Sequence, residues 1–360
     1  MLTKTISISE IRPGMILNTD AINKRNEMIA PKNTVLSSRH MINFSASGIR
    51  MVNVMIPNYI ATPEELELSK AAENPLKKTE EYRRFRKGII ALAGALRKSY
   101  EWILNEPETY ESANDLVDKV FSITEEAGSP LRILEFLQCC RDFQDSIYLH
   151  SANVALITKV IGTKSGFNDT QLKKLVLGAL FHDIGKLGIP DEVLNKVGPL
   201  KKDERELIRK HATIGYTYLL QTGLPEFIAL CALHHHERYD GSGYPMGLDG
   251  RKTPLYARYV AVADVYDAMT SRRTYREEMC PFEVISEFEE KGTELFDSAA
   301  LLPFLSSIAQ SLVGSTVVLS NGSMGKLIML NEKFTRPTVQ VGSDFVNLME
   351  HPELSISKVI

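Results

Sequence analysis

Histidine placement constrains this chain more than any other feature. Of its 8 histidines, all but His40 and His351 fall between residue 130 and about residue 310, where apolar residues recur at helical spacing between clear starts and stops. One helix is expected to begin near Asn168-Asp169, turn Leu172, Leu175, Val176, Ala179 and Leu180 inward, and end at Phe181. It delivers His182-Asp183 just ahead of the breaker Gly185. His150 shares a stripe with Val154, Ile157 and Val160, and His211 sits between Leu207 and Ile214 on an apolar helix face. Pro225 opens a helix on which Phe227, Cys231 and His235 fall one turn apart, with His236 at the adjacent angle. Asp264 stands on a stripe with Ala257, Val260, Ala261 and Ala268. Any one of these residues alone is most simply a hydrogen-bonded core group. Five imidazoles and two carboxylates turned toward one interior are not, because unpaired buried charge is so costly that the groups must be neutralised or share a cation. Nitrogen and carboxylate ligands without thiolates suit iron or manganese in octahedral surroundings better than a structural zinc.

The rest of the chain frames this helical segment. Residues 1–60 read as a small mixed β/α domain, with strands at Thr3 to Ile8 and Val52 to Ile56, a turn at Pro13-Gly14 and a short helix around Ser37 to Phe44. Residues 61–129 read as a helical linker or regulatory region starting near Thr62-Pro63, residues 130–310 as one contiguous helical domain, and residues 311–360 as a β meander with a turn at Asn321-Gly322. The expected fold class is therefore mainly α, with small β-containing pieces at each end. A formal net charge of -3 argues against a nucleic acid polymer as partner and leaves room for a nucleotide. Cys139, Cys140, Cys231 and Cys280 follow no disulfide or zinc-finger spacing, no secretory leader is evident, and stretches such as Ile89 to Leu96 fall short of the roughly 20 residues of a spanning helix. The expectation is a cytoplasmic protein without a membrane anchor.

His182-Asp183-Ile184-Gly185-Lys186, with Gly188-Ile189-Pro190-Asp191 and Leu194-Asn195-Lys196, resembles the HD signature of the HD-GYP family. His235-His236-Glu237-Arg238 followed by Asp240-Gly241-Ser242-Gly243-Tyr244-Pro245 is similar to the family's GYP signature, and the run from Ala261 to Ala268 with Thr270 to Arg276 also fits. The resemblance covers about residues 135 to 310. It implies an all-helical metallohydrolase domain cleaving cyclic di-GMP to linear pGpG with a metal-activated hydroxide. It further implies two divalent ions held by His150, His182, Asp183, His211, His235, His236 and Asp264, with Asp183 bridging. Asp183 and Lys186 would be catalytic, and Lys186, Tyr244, Arg273 and Arg276 would bind substrate. The partners that the resemblance implies are a signalling protein docking on the Gly-Tyr-Pro loop and a second copy of the chain in a homodimer. Family members with three metals carry a glutamate four positions before the first histidine ligand, where this chain has Ser146, with Asp145 about 100° away on a helix. Two ions, and a linear product rather than full conversion to GMP, are therefore expected. Two other readings share these residues: an HD phosphohydrolase acting on another nucleotide, and a non-catalytic receptor for a cyclic dinucleotide or a signalling partner.

Overall fold

The structure, a computed structural model, describes residues 2–8, 11, 15–23, 28–32, 34, 36, 40, 44, 47–56, 75–106, 111–140, 146–196, 198–271 and 279–360. The chain divides into two compact units, Met1–Glu73 and Asn74–Ile360. In the first, strands β1 (Leu2–Ser7) and β5 (Met51–Ile56) pair antiparallel, and β2 (Ile16–Leu17) adds to the other side of β5. A short pair, β3 (Ala21–Ile22) and β4 (Met28–Ala30), lies beside this sheet in sequence. Ile6, Leu17, Val52 and Val54 join Phe44 in a small core of its own. The expected turn at Pro13-Gly14, most of the helix at Ser37 to Phe44 and the helix start at Thr62-Pro63 lie outside the described residues.

The second unit is a bundle of helices: α1 (Glu80–Asn105), α2 (Glu111–Glu126), α3 (Pro130–Cys139), α4 (Ile147–Lys164) and α5 (Asp169–Phe181). They are followed by α6 (Lys202–Arg209), α7 (His211–Leu220), α8 (Glu226–His234), α9 (Leu255–Thr270), α10 (Pro281–Glu287) and α11 (Ser298–Ser311). The starts follow capping chemistry. Thr79, Ser129, Ser146 and Asn168 each accept a first-turn backbone N–H, and Asn168 forms a reciprocal capping box with Gln171. α4 and α5 are apolar nearly all round, as befits helices buried on several sides. None of the described helices is long and apolar enough to cross a membrane.

Two departures from regular helix bear on the site. Ser146, four residues before His150, is the N-cap of α4: its carbonyl accepts the His150 N–H at 2.9 Å, while its extended backbone turns its hydroxyl to the Leu149 N–H at 3.2 Å. Asp145, expected about 100° away, lies outside the described residues. Likewise α6 ends at Arg209, so His211 opens a new helix instead of continuing an apolar stripe from Leu207.

The C-terminal segment is a five-stranded antiparallel sheet. Strands β6 (Thr316–Leu319), β7 (Met324–Met329), β8 (Thr338–Val341) and β9 (Asp344–Asn347) form the meander, and β10 (Ile356–Val359) returns beside β6. Leu327, Val339 and Val346 stand opposite one another across three strands, and Val317, Leu327 and Val339 enter the same core as the helices. Glu289 fixes this join by accepting from the Phe334 N–H at 3.0 Å and the Thr335 hydroxyl at 2.8 Å.

Behind α5, the turn Ile184–Gly188 packs on α7 at a backbone-to-backbone contact: a Cβ on Gly185 would overlap the His211 carbonyl oxygen and crowd Gly215. Gly185→Ala is therefore expected to lower the melting temperature severely or prevent folding, whereas Gly94→Ala, where a Cβ meets nothing within 4 Å, should stabilise by about 0.5–1 kcal/mol. Thermal denaturation followed by circular dichroism checks both.

Candidate metal centre

Helix termini deliver most of the side chains. His182 is the C-cap of α5 with Asp183 next to it, His211 opens α7, His235 is the C-cap of α8, His150 lies in the first turn of α4, and Asp264 projects from α9. All of them are buried, and His236 is nearly so.

The outer nitrogens explain the inner ones. Nδ1–H of His182 donates to the Ala179 carbonyl at 2.7 Å, that of His211 to Ile208 at 2.7 Å, and that of His235 to Ala232 at 2.9 Å. A carbonyl can only accept, so these three rings are held in the tautomer that leaves Nε2 as a lone pair. Nδ1–H of His150 is directed instead at the Asp267 carboxylate, 2.7 Å away. Four Nε2 atoms thus face one interior.

Asp183 stands between them. Its Oδ2 is 3.4 Å from Nε2 of both His150 and His182, while its Oδ1 is 3.5 Å from Nε2 of His211 and 3.8 Å from that of His235. Asp264 closes each side, with Oδ1 at 3.1 Å from His150 Nε2 and Oδ2 at 3.8 Å from His236 Nδ1. Three overlapping triads, His150-His182-Asp264, His182-Asp183-His235 and His211-His235-His236, have ligand atoms within 4.8 Å of one another. Nε2 of His211 and His235 face each other at 3.2 Å as two lone pairs, and His182 Nε2 and Asp183 Oδ1 are buried without a partner. A cation between these atoms satisfies all of them, so the donor set fits divalent metal.

The charges are tuned accordingly. Burial pushes His211, His235 and His236 below the ordinary imidazole range, which keeps them neutral and ligand-ready. Burial works to raise Asp183 and Asp264, but Lys186 and His182 beside the first, and His150 and His236 beside the second, hold both carboxyls well below the usual range. For His150 burial is outweighed by the hydrogen bonds to Asp264 and Asp267, which take it up to about 9. Metal entry must displace that proton.

Lys186 ends at Asp183 Oδ2 as an ion pair. The Tyr244 ring stacks on His236 with centroids 4.6 Å apart, and the Arg209 guanidinium lies 5.0 Å from the Tyr244 ring centroid. Arg273 and Arg276 lie outside the described residues. The loop carrying Tyr244 is pinned by Glu237, whose two carboxylate oxygens accept the Met246 and Leu248 N–H groups at 2.8 and 2.9 Å. Gly243 packs so closely under it that a Cβ would overlap the backbone of Glu237 and Arg238. Sequence reading passed over Asp267, Arg209 and Glu237, although Asp267 follows Asp264 by one short helical step and both are buried.

Residues 139–300 match the family model described as HD domain. Curated relatives include a cyclic di-GMP phosphodiesterase of Thermotoga maritima, 37% identical over 176 residues, 48% of this chain and 48% of that protein. The cyclic di-GMP phosphodiesterase response regulator RpfG of Xanthomonas campestris pv. campestris is 39% identical over 173 residues, 47% of this chain and 45% of that protein. Cyclic di-GMP phosphodiesterase PA4108 of Pseudomonas aeruginosa is 34% identical over 217 residues, 60% of this chain and 51% of that protein. The chain spans about half the length of these relatives. Over residues 139–300, less than half of its length, the chain is thus similar to HD domains. The Gly-Tyr-Pro loop that follows His235-His236 lies within this matched segment.

Removing the Asp267 carboxylate altogether, Asp267→Ala, is expected to weaken metal binding about 10- to 100-fold, because His150 loses its orienting acceptor. Manganese titration of metal-free protein, read by calorimetry, measures it.

Proposed function

We propose that this chain carries an HD-GYP domain and is a cytoplasmic cyclic di-GMP phosphodiesterase that opens the ring to linear pGpG. The observation that carries the reading is Asp183, one carboxylate facing imidazole nitrogens on both sides. This supports two ions, one held by His150, His182, Asp183 and Asp264, the other by His211, His235, His236 and Asp183. The all-nitrogen-and-oxygen donor set favours iron or manganese. Bound there, two such ions would lower the pKa of a water and neutralise charge on both oxygens of an in-line displacement at phosphorus.

The chain's own groups supply the rest. The water oxygen bonds to phosphorus, the P–O3′ bond breaks, and the 3′ oxygen leaves with a proton. Lys186, already at the oxygen of Asp183 that faces His150 and His182, is a cation placed to meet an incoming phosphate. Tyr244 with Arg209 offers a flat, cationic wall beside His236 for the nucleotide, and the resemblance adds Arg273 and Arg276 as phosphate clamps. Met246, 65% exposed next to Pro245, marks the face we assign to a signalling partner. The Ser146 hydroxyl is committed to capping α4, so it offers nothing to a third ion.

Asp183→Ala is expected to lose both ions and all turnover, and metal analysis with assay of anaerobically purified protein would read this. Normal metal content and normal turnover would sink the assignment. For the unaltered protein, two metal equivalents and accumulating pGpG are expected by elemental analysis and chromatography. Three equivalents, or GMP as the sole early product, would contradict the two-ion reading, and tight binding of cyclic di-GMP without product would make the domain a receptor.

A further inference from the structure

Tyr100 belongs neither to residues 139–300 nor to the cage, yet its hydroxyl touches both helices that bring in the first ligands. It lies on α1 and is completely buried. Its Oη–H donates to the Leu180 carbonyl at 2.7 Å, and the same oxygen is 3.2 Å from Ser151 Oγ. Leu180 precedes His182 by two residues, and Ser151 follows His150. The ring packs on Phe181 and Tyr148, with centroids 5.7 and 5.6 Å away. One phenol therefore contacts residues on either side of His150 and on the approach to His182-Asp183.

The Leu180 carbonyl is one of the last four of α5, which have no N–H from their own helix to accept. The His182 ring takes the carbonyl of Ala179, and Tyr100 takes the next one. Without the hydroxyl, a buried acceptor would stand unpaired directly behind the metal pocket, and α5 would be free to shift until it found a partner. That shift moves His182 and Asp183 relative to His150.

We propose that Tyr100 is a positioning residue for the metal centre. Its hydroxyl fixes the end of α5 against the start of α4, and so fixes the spacing of His150 from His182-Asp183. α1 thereby has a direct hold on the site from outside the family-matched segment. The inference rests on the phosphodiesterase reading only for its kinetic arm.

The test compares Tyr100→Phe, Ser151→Ala and Leu92→Ala in the full chain. Leu92 is buried on the same helix two turns earlier and reports a general loss of packing. The metal arm measures the manganese concentration giving half of the thermal stabilisation of metal-free protein. Tyr100→Phe is expected to raise it about tenfold with little change in the metal-free melting temperature, and Ser151→Ala to raise it less. Leu92→Ala should lower the melting temperature and leave the manganese midpoint in place. In the kinetic arm, Tyr100→Phe should lower kcat at saturating manganese while KM for cyclic di-GMP stays within about twofold. A wild-type manganese midpoint in both hydroxyl variants overturns the proposal, as does an equal shift in Leu92→Ala. If Tyr100→Phe does not fold, Ser151→Ala decides alone by its midpoint. A shifted midpoint in a protein that turns over no cyclic di-GMP would support the positioning role and reject the phosphodiesterase reading.

Discussion

Everything in the helical unit is organised around a carboxylate with nowhere else to be. Asp183 is buried and negatively charged, with the ammonium of Lys186 and, until metal enters, the protonated His150 beside it as counter-charges. On its other side, Oδ1 meets the imidazole lone pairs of His211 and His235, which a carboxylate oxygen cannot satisfy without a cation between them. The arrangement makes sense as a receptacle, and the surrounding hydrogen bonds serve it. Backbone carbonyls at the ends of α5, α6 and α8 accept from ring Nδ1 atoms, so the helix ends that would otherwise carry orphaned acceptors also orient the ligands. Fold and site use the same few bonds.

Two of the motif glycines have a mechanical reading here. Gly185 and Gly243 sit where two backbones meet with no space for a methyl group. The first brings the turn after Asp183 against the start of α7, and so brings His211 to Asp183. The second lets the Gly-Tyr-Pro loop lie on the chain that runs out of His236, which lays Tyr244 flat on that imidazole. In both cases a sequence motif is the trace of two chain segments brought into contact.

How much of this was legible in the sequence depended on range. The helix from Asp169 to Phe181 could be read almost to the residue, because Asn168 caps it, its apolar residues keep period and Gly185 follows its end. Asp264 was legible because a carboxylate among alanines and valines is conspicuous. Asp267 was not, since nothing local says which of two nearby carboxylates faces a pocket and which faces the back of an imidazole. The break at Ser146 was hidden because serine is acceptable both inside a helix and at its cap, and only the backbone conformation decides. Strand β10 was missed for a different reason: its partner β6 lies some forty residues earlier, and pairing at that separation leaves no periodic mark. Tyr100 is the extreme case, since its two hydrogen-bond partners are 51 and 80 residues away.

The location of the ligands at helix ends has a consequence for motion. A helix end frays more readily than a helix middle, because its last carbonyls and first amides lack partners in their own helix. His182, His211 and His235 all occupy such ends, and His150 lies within a turn of one. Ions bridging them would clasp together the loosest points of α4, α5, α7 and α8. Amide protons there should exchange with solvent slowly when the ions are in place and quickly after a chelator removes them, while the helix middles exchange alike in both states.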